Sequence, residues 1–181
     1  RDPARAMYCT PIQLSNAKLA RELAQVATPE RYAIVADELM DLTLRGEDRS
    51  SFDPADVAVA DEALVHIEKA LTDASGVIDG YLRARRPVPY QVPVDPVPEV
   101  ISVWARWIAR YLLHKDRVDT REESDPIVRD YRQALRFLEQ VRDGAFDPGI
   151  EEPARRPGGR PQFYTDGPRQ FTRDTLKDFG P

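Results

Sequence analysis

Cysteine occurs once in the 181 residues, at Cys9, and histidine twice, at His66 and His114. A single thiol excludes an internal disulfide framework and a cysteine-built zinc site. Two histidines on separate predicted helices, outside any HExxH spacing, supply no metal-ligating set. Glycine is scarce, with 9 residues, and none falls into a GxGxxG or P-loop pattern, so nucleotide binding by those routes has no support. No apolar run approaches the roughly 20 residues that span a bilayer, and the N-terminus carries no apolar signal core. The expectation is a soluble protein, cytosolic when made, with no membrane partner. Excess positive charge is missing too: 26 Lys and Arg against 31 Asp and Glu give a net charge of −5, which argues against a dedicated DNA binder.

The lone titratable groups have plain readings. His66, with Glu62 one turn before it, reads as a surface pair. His114, closing the fourth predicted helix, complements that helix's dipole. Cys9 has no activating motif beside it and reads as a buried or incidental thiol. No catalytic constellation, metal or cofactor site is expected, and the chain does not read as an enzyme.

Proline is the abundant residue, with 16 copies. Four predicted helix starts set one after an oxygen-bearing side chain, at Thr10-Pro11, Thr28-Pro29, Asp53-Pro54 and Asp125-Pro126. In such pairs the first residue can cap a free backbone N–H, and proline fills the first helical position, where its missing N–H costs nothing. Thr10-Pro11-Ile12-Gln13 also fits a capping box. The spacing of apolar residues then predicts helices over about 11–26, 29–44, 54–82, 98–114 and 126–143. The second carries Tyr32, Val35, Leu39 and Leu42, and the third is one long amphipathic helix. The fourth has two apolar stripes, one of them Val100, Trp104, Trp107 and Tyr111, and should sit centrally. Nothing reads as a strand, so the fold class is all-α: a small bundle with one long central helix.

The other prolines cluster. Pro87, Pro89, Pro93, Pro96 and Pro98 form a stiff connector between the third and fourth helices, longer than the two to eight residues that join neighbours in a bundle. It either wraps the body or projects from it. Beyond Asp147, proline and glycine are too frequent for a core. The organisation expected is therefore a lead at residues 1–6 before Met7, a helical body at 7–147 and an extended, mildly basic arm at 148–181. In RQFTRDTLKDF, Thr172 can cap a short helix with Phe171 and Leu176 at staple positions and Phe179 one turn on, which has the form of a docking hook. Arg83, Arg85 and Arg86 end the long helix, either as solvated dipole partners or as charge facing an acidic partner or nucleic acid. The carboxylates of the second and third helices, among them Asp37, Glu38, Asp41, Asp56, Asp61, Glu62 and Asp79, read as solvated faces.

Five pieces occur in a familiar order: MYCTP from Met7, KALTDASGVIDGYL from Lys69, WIARYLL from Trp107, VRDYRQALRFLEQV from Val128 and the terminal RQFTRDTLKDF. In this the chain resembles the head-completion proteins, or head-tail adaptors, of Mu-like tailed phages. The resemblance implies an α-helical, non-catalytic virion protein that assembles as a ring, usually of twelve, beneath the portal. Such a ring extends the DNA channel and gives the tail or next connector its attachment surface, and DNA passes through without specific binding. The implied partners are the portal protein, neighbouring copies and the tail or next connector. The implied contact positions on the arm are Phe171, Thr172, Arg173, Asp174, Leu176 and Phe179, and chemistry alone adds Phe163, Tyr164 and Arg169. Carboxylates of the second and third helices, if they line the channel, would repel DNA. The alternative is a DNA-binding or regulatory helical protein that uses Arg83–Arg86 with the basic tail.

Overall fold

The computed structural model describes residues 7–14, 17–115 and 125–151. After a short 3-10 helix at Pro11–Leu14 come α1 (Ala17–Ala27), α2 (Asp37–Arg45), α3 (Pro54–Arg83), α4 (Glu99–His114) and α5 (Pro126–Arg142). Among the described residues there is no strand, and the all-α bundle is as the periodicity predicts.

Local chemistry sets two of the boundaries directly. Asp53 accepts a hydrogen bond from the Ala55 N–H at 2.8 Å with Pro54 in the first helical position, and Asp125 does the same for Ile127 at 2.7 Å with Pro126. Two helices end at glycines with left-handed backbones: Gly46 (φ 67°) follows α2, and Gly144 (φ 74°) lies just beyond α5. There the Glu47 N–H returns to Leu42 O at 3.0 Å and the Ala145 N–H to Gln140 O at 2.8 Å, so late helical carbonyls are satisfied by the turning chain.

The first two predicted helices need correction. The capping box at Thr10 does form, Gln13 Oε1 accepting from the Thr10 N–H at 2.8 Å, but it opens only the 3-10 helix, and α1 begins at Ala17. Thr28-Pro29 starts nothing. The Thr28 hydroxyl is buried and donates back to Ala24 O at 2.6 Å, one turn earlier, so it closes α1 and is unavailable as a cap. Residues 29–36 form a loop in which Val35 turns inward while Tyr32 and Ile34 stay exposed, and α2 starts at Asp37.

α3 is the spine. Ala60, Ala63, Ile67, Ala70, Leu71, Ala74, Ile78 and Leu82 are buried at three- and four-residue steps, and α1, α2, α4 and α5 all pack on it. Its N-terminal part meets the α1–α2 region: Arg31 pairs with Glu62, and Arg49 with Asp61. α4 and α5 pack on it as well, and the Arg86 N–H just beyond its C-terminus meets Arg142 O at 2.9 Å. α4 and α5 run antiparallel, Trp104 stacking on Phe137 at 5.8 Å and Tyr111 on Tyr131 at 3.9 Å. Trp104 is 1% exposed, so this end of the aromatic stripe is core packing, while Trp107 and Tyr111 are half-buried.

The proline connector wraps the body. Tyr90 and Val94 are buried, the Tyr90 N–H donates to Leu82 O at 3.1 Å, and the Arg86 N–H donates to Arg142 O at 2.9 Å. Further on, the Val94 N–H donates to the Tyr8 hydroxyl at 3.0 Å, and that hydroxyl donates in turn to Asp79. Burial and the Asp79 carboxylate raise Tyr8 above the usual phenol range, so the phenol keeps the proton that this chain of bonds needs. The compact body extends through Ile150.

Candidate functional site

Among the described residues no group of three or more His, Cys, Asp or Glu is placed to hold a metal ion. Cys9 is buried, and burial pushes its thiol up to about 11, which leaves little nucleophilic thiolate near neutrality. A small cavity of about 150 Å³ beside it is lined by Cys9, Gln13, Glu99, Ser102, Val103 and Arg106. His66 does not pair with Glu62: its Nδ1 lies 3.1 Å from Ala27 O, and Glu62 is taken by Arg31. His114 is buried, with Nδ1 2.8 Å from Arg110 O and Nε2 3.2 Å from Glu22. Glu22 also receives two hydrogen bonds from Arg110, at 2.5 and 2.6 Å. This cluster ties α1 to α4.

Charge, not a pocket of reactive groups, organises the surface. Between Glu30 and Glu62 the chain carries ten carboxylates against three arginines. The arginines are used locally: Arg31 on Glu62, Arg45 on Asp41 at 2.9 Å, and Arg49 on Asp61. Arg21 of α1 lies 3.9 Å from Asp37. Glu30, Glu38, Glu47 and Asp56 are exposed and have no ion-pair partner among the described residues.

A second region is richer in arginine. Over residues 79–86 and 126–143 there are seven arginines against four carboxylates. Arg83 lies 3.8 Å from Asp79. Arg85 folds over the Tyr90 ring, 4.1 Å from its centroid, and donates to Val88 O at 3.1 Å, so it fastens the connector and does not point outward. Arg86 is exposed beside the α5 terminus, near enough to Asp143 to help hold that carboxyl below its usual range, after Arg142, which bonds to it directly. Of the three arginines singled out in the sequence, Arg83 and Arg86 are the ones left exposed. The arm positions from Phe163 to Phe179 lie outside the described residues.

Sequence reasoning missed the outward face of α5. Arg129, Arg132, Gln133, Arg136 and Gln140 are exposed and, with the half-buried Phe137, line a groove of about 540 Å³. Arginines at positions 129, 132 and 136 follow helical spacing, a signal that is present in VRDYRQALRFLEQV but overshadowed by its apolar stripe.

The family profile described as "Bacteriophage Mu, Gp36" matches residues 8–163, which takes in the described body from the buried Tyr8 through α5. The chain belongs to the Bacteriophage Mu Gp36 family. Over 84 residues it is 39% identical to "Gene product J" of Escherichia phage Mu, covering 46% of this chain and 53% of that protein. Over 92 residues it is 40% identical to "Mu-like prophage FluMu protein gp36" of Haemophilus influenzae, covering 51% of this chain and 57% of the relative. The chain thus spans about half the length of the curated relatives it matches. It is a Mu-like phage protein, and among its described residues no helix is long and apolar enough to cross a membrane. This Gp36-family body thus carries two unlike patches, the carboxylates around the α2–α3 corner and the arginine row of α5.

Proposed function

We propose that this Gp36-family protein is a structural, non-catalytic adaptor of the virion. In this role, copies assemble as a ring beneath the portal, extend the DNA channel and present the attachment surface for the tail or next connector. The observation that carries the reading furthest is the charge polarity of one tightly tied helical body. Two unlike patches on one molecule favour head-to-tail contact, and head-to-tail contact repeated through a suitable rotation closes a ring. The Glu22–Arg110 bridge and the wrapped connector support it, because a ring subunit must hold its two contact faces at a fixed spacing. The arm at 148–181 is assigned to portal docking on its sequence alone, where its tether would raise local concentration. A DNA-binding role built on Arg83–Arg86 has less support, since Arg85 is committed to Tyr90 and Arg83 faces Asp79.

The test is sedimentation of the full chain, and of a version ending at Asp147, with the portal ring of the same phage. Saturable co-sedimentation that is lost on truncation is the expected result. Full-length chain that stays free of the portal at every concentration refutes the role.

A further inference from the structure

The geometry points to the α5 groove as the receptor for a second copy of this chain, specifically for the acidic corner where α2 turns into α3. This inference deepens the proposed role by naming the faces that meet. The groove offers Arg129, Arg132 and Arg136 with Gln133 and Gln140 around Phe137. Arg129 reaches only its neighbour Asp130, at 3.4 Å, and Arg136 has no ion pair among the described residues. The corner offers Glu47, Asp48, Asp53 and Asp56, all exposed. Its single arginine, Arg49, is turned toward Asp61, so the corner's negative charge is left for an outside partner.

The two patches belong to different elements. The corner lies where α2 meets the start of α3, and α2 packs on α1 and α3, whereas the groove lies on α5, which packs on α4 and α3. Two unlike patches on different elements suit contact between molecules, and because they differ the contact propagates from copy to copy. A guanidinium row spaced along a helix suits carboxylates through charge-assisted, bidentate hydrogen bonds. Nucleic acid is the competing occupant of such a row. It is disfavoured here because the same body carries a larger acidic surface that would repel phosphate.

The experiment uses full-length protein in three forms: wild type, a groove variant (Arg132→Glu with Arg136→Glu) and a corner variant (Glu47→Arg with Asp56→Arg). Sedimentation velocity follows self-association at low salt, and circular dichroism confirms the helical fold. If a reversal unfolds the chain, the neutral pairs Arg132→Gln with Arg136→Gln and Glu47→Gln with Asp56→Asn replace it and should weaken association in the same sense. Each charge-reversed variant alone should associate at least about tenfold more weakly, since like charges are brought together. Their equimolar mixture should recover association, because each groove then meets a corner of opposite sign. Wild-type association should also fade in about 0.5 M salt.

A mixture no better than its parts overturns the inference, as does wild type that stays monomeric at low salt up to about 1 mM, an affinity of only about 4 kcal/mol. Duplex DNA that binds wild type and is released by the groove reversal alone also overturns it, in favour of a nucleic-acid groove. Portal co-sedimentation by a chain that shows no charge-paired association overturns this inference and leaves the adaptor role standing. Charge-paired association without portal binding does the reverse.

Discussion

Replacing Arg110 with Met should loosen the junction between the two halves of the body. Arg110 donates twice to Glu22, at 2.5 and 2.6 Å, and the Glu22 carboxylate raises the guanidinium above its already high ordinary value. Hydrogen bonds to charged groups contribute about 1.5–3 kcal/mol when well sheltered. Here the Arg110 and Glu22 side chains are 27% and 25% exposed, so solvent screening lowers the figure for the pair to about 2 kcal/mol. Arg110→Met should cost about that much, because it leaves Glu22 with His114 as its remaining partner, while Glu22→Gln should cost about 1–2 kcal/mol. The double variant should cost less than the sum, with a coupling of about 1 kcal/mol. Urea unfolding followed by tryptophan fluorescence reads this directly, since Trp104 and Trp107 lie on the same helix as Arg110. Additive single effects, with coupling below about 0.3 kcal/mol, would show that the bridge seen in the structure does not join α1 to α4 in solution.

Tyr8→Phe should release the connector without disturbing the bundle. It removes the hydroxyl that accepts from Val94 and donates to Asp79, and should cost about 1–3 kcal/mol with faster amide exchange at Val94; unchanged exchange there would refute the latch. Cys9 predicts a pH dependence: its folded thiol titrates near 11, above the ordinary value near 8.5. The neutral form is therefore favoured by folding, and stability is full below the ordinary value and falls as pH rises toward 11. Cys9→Ala should flatten that alkaline limb by roughly 2–3 kcal/mol, and a limb unchanged in a folded Cys9→Ala variant would refute the assignment.

What the sequence discloses depends on how local the physics is. Asp53-Pro54 and Asp125-Pro126 are legible because cap and helix are neighbours in the chain, and the α3 core because its period runs unbroken. Thr28-Pro29 carries the same two-residue signature yet ends a helix, since the threonine oxygen can serve either the following N–H groups or the carbonyl four residues back, and packing decides between them. His66 shows the same limit: its spacing from Glu62 predicts a pair one turn apart, but its Nδ1 meets the Ala27 carbonyl of α1 and Glu62 pairs with Arg31. The wrapped connector rests on Tyr8, Asp79 and Val94, which are far apart in sequence, so its path was open until the fold brought them together. The acidic corner and the α5 arginine row are legible as residues but not as surfaces, because which side chains face outward is set by how the helices pack.

The measurement that tests the central claim most directly is an electron cryo-microscopy reconstruction of the neck of particles of the phage that encodes this protein. The account predicts a closed ring of this helical body between portal and tail, with the α5 face of each copy against the α2–α3 corner of the next. Particles whose neck lacks this chain, or a ring joined through other faces, would contradict the role in the first case and the assigned contact in the second.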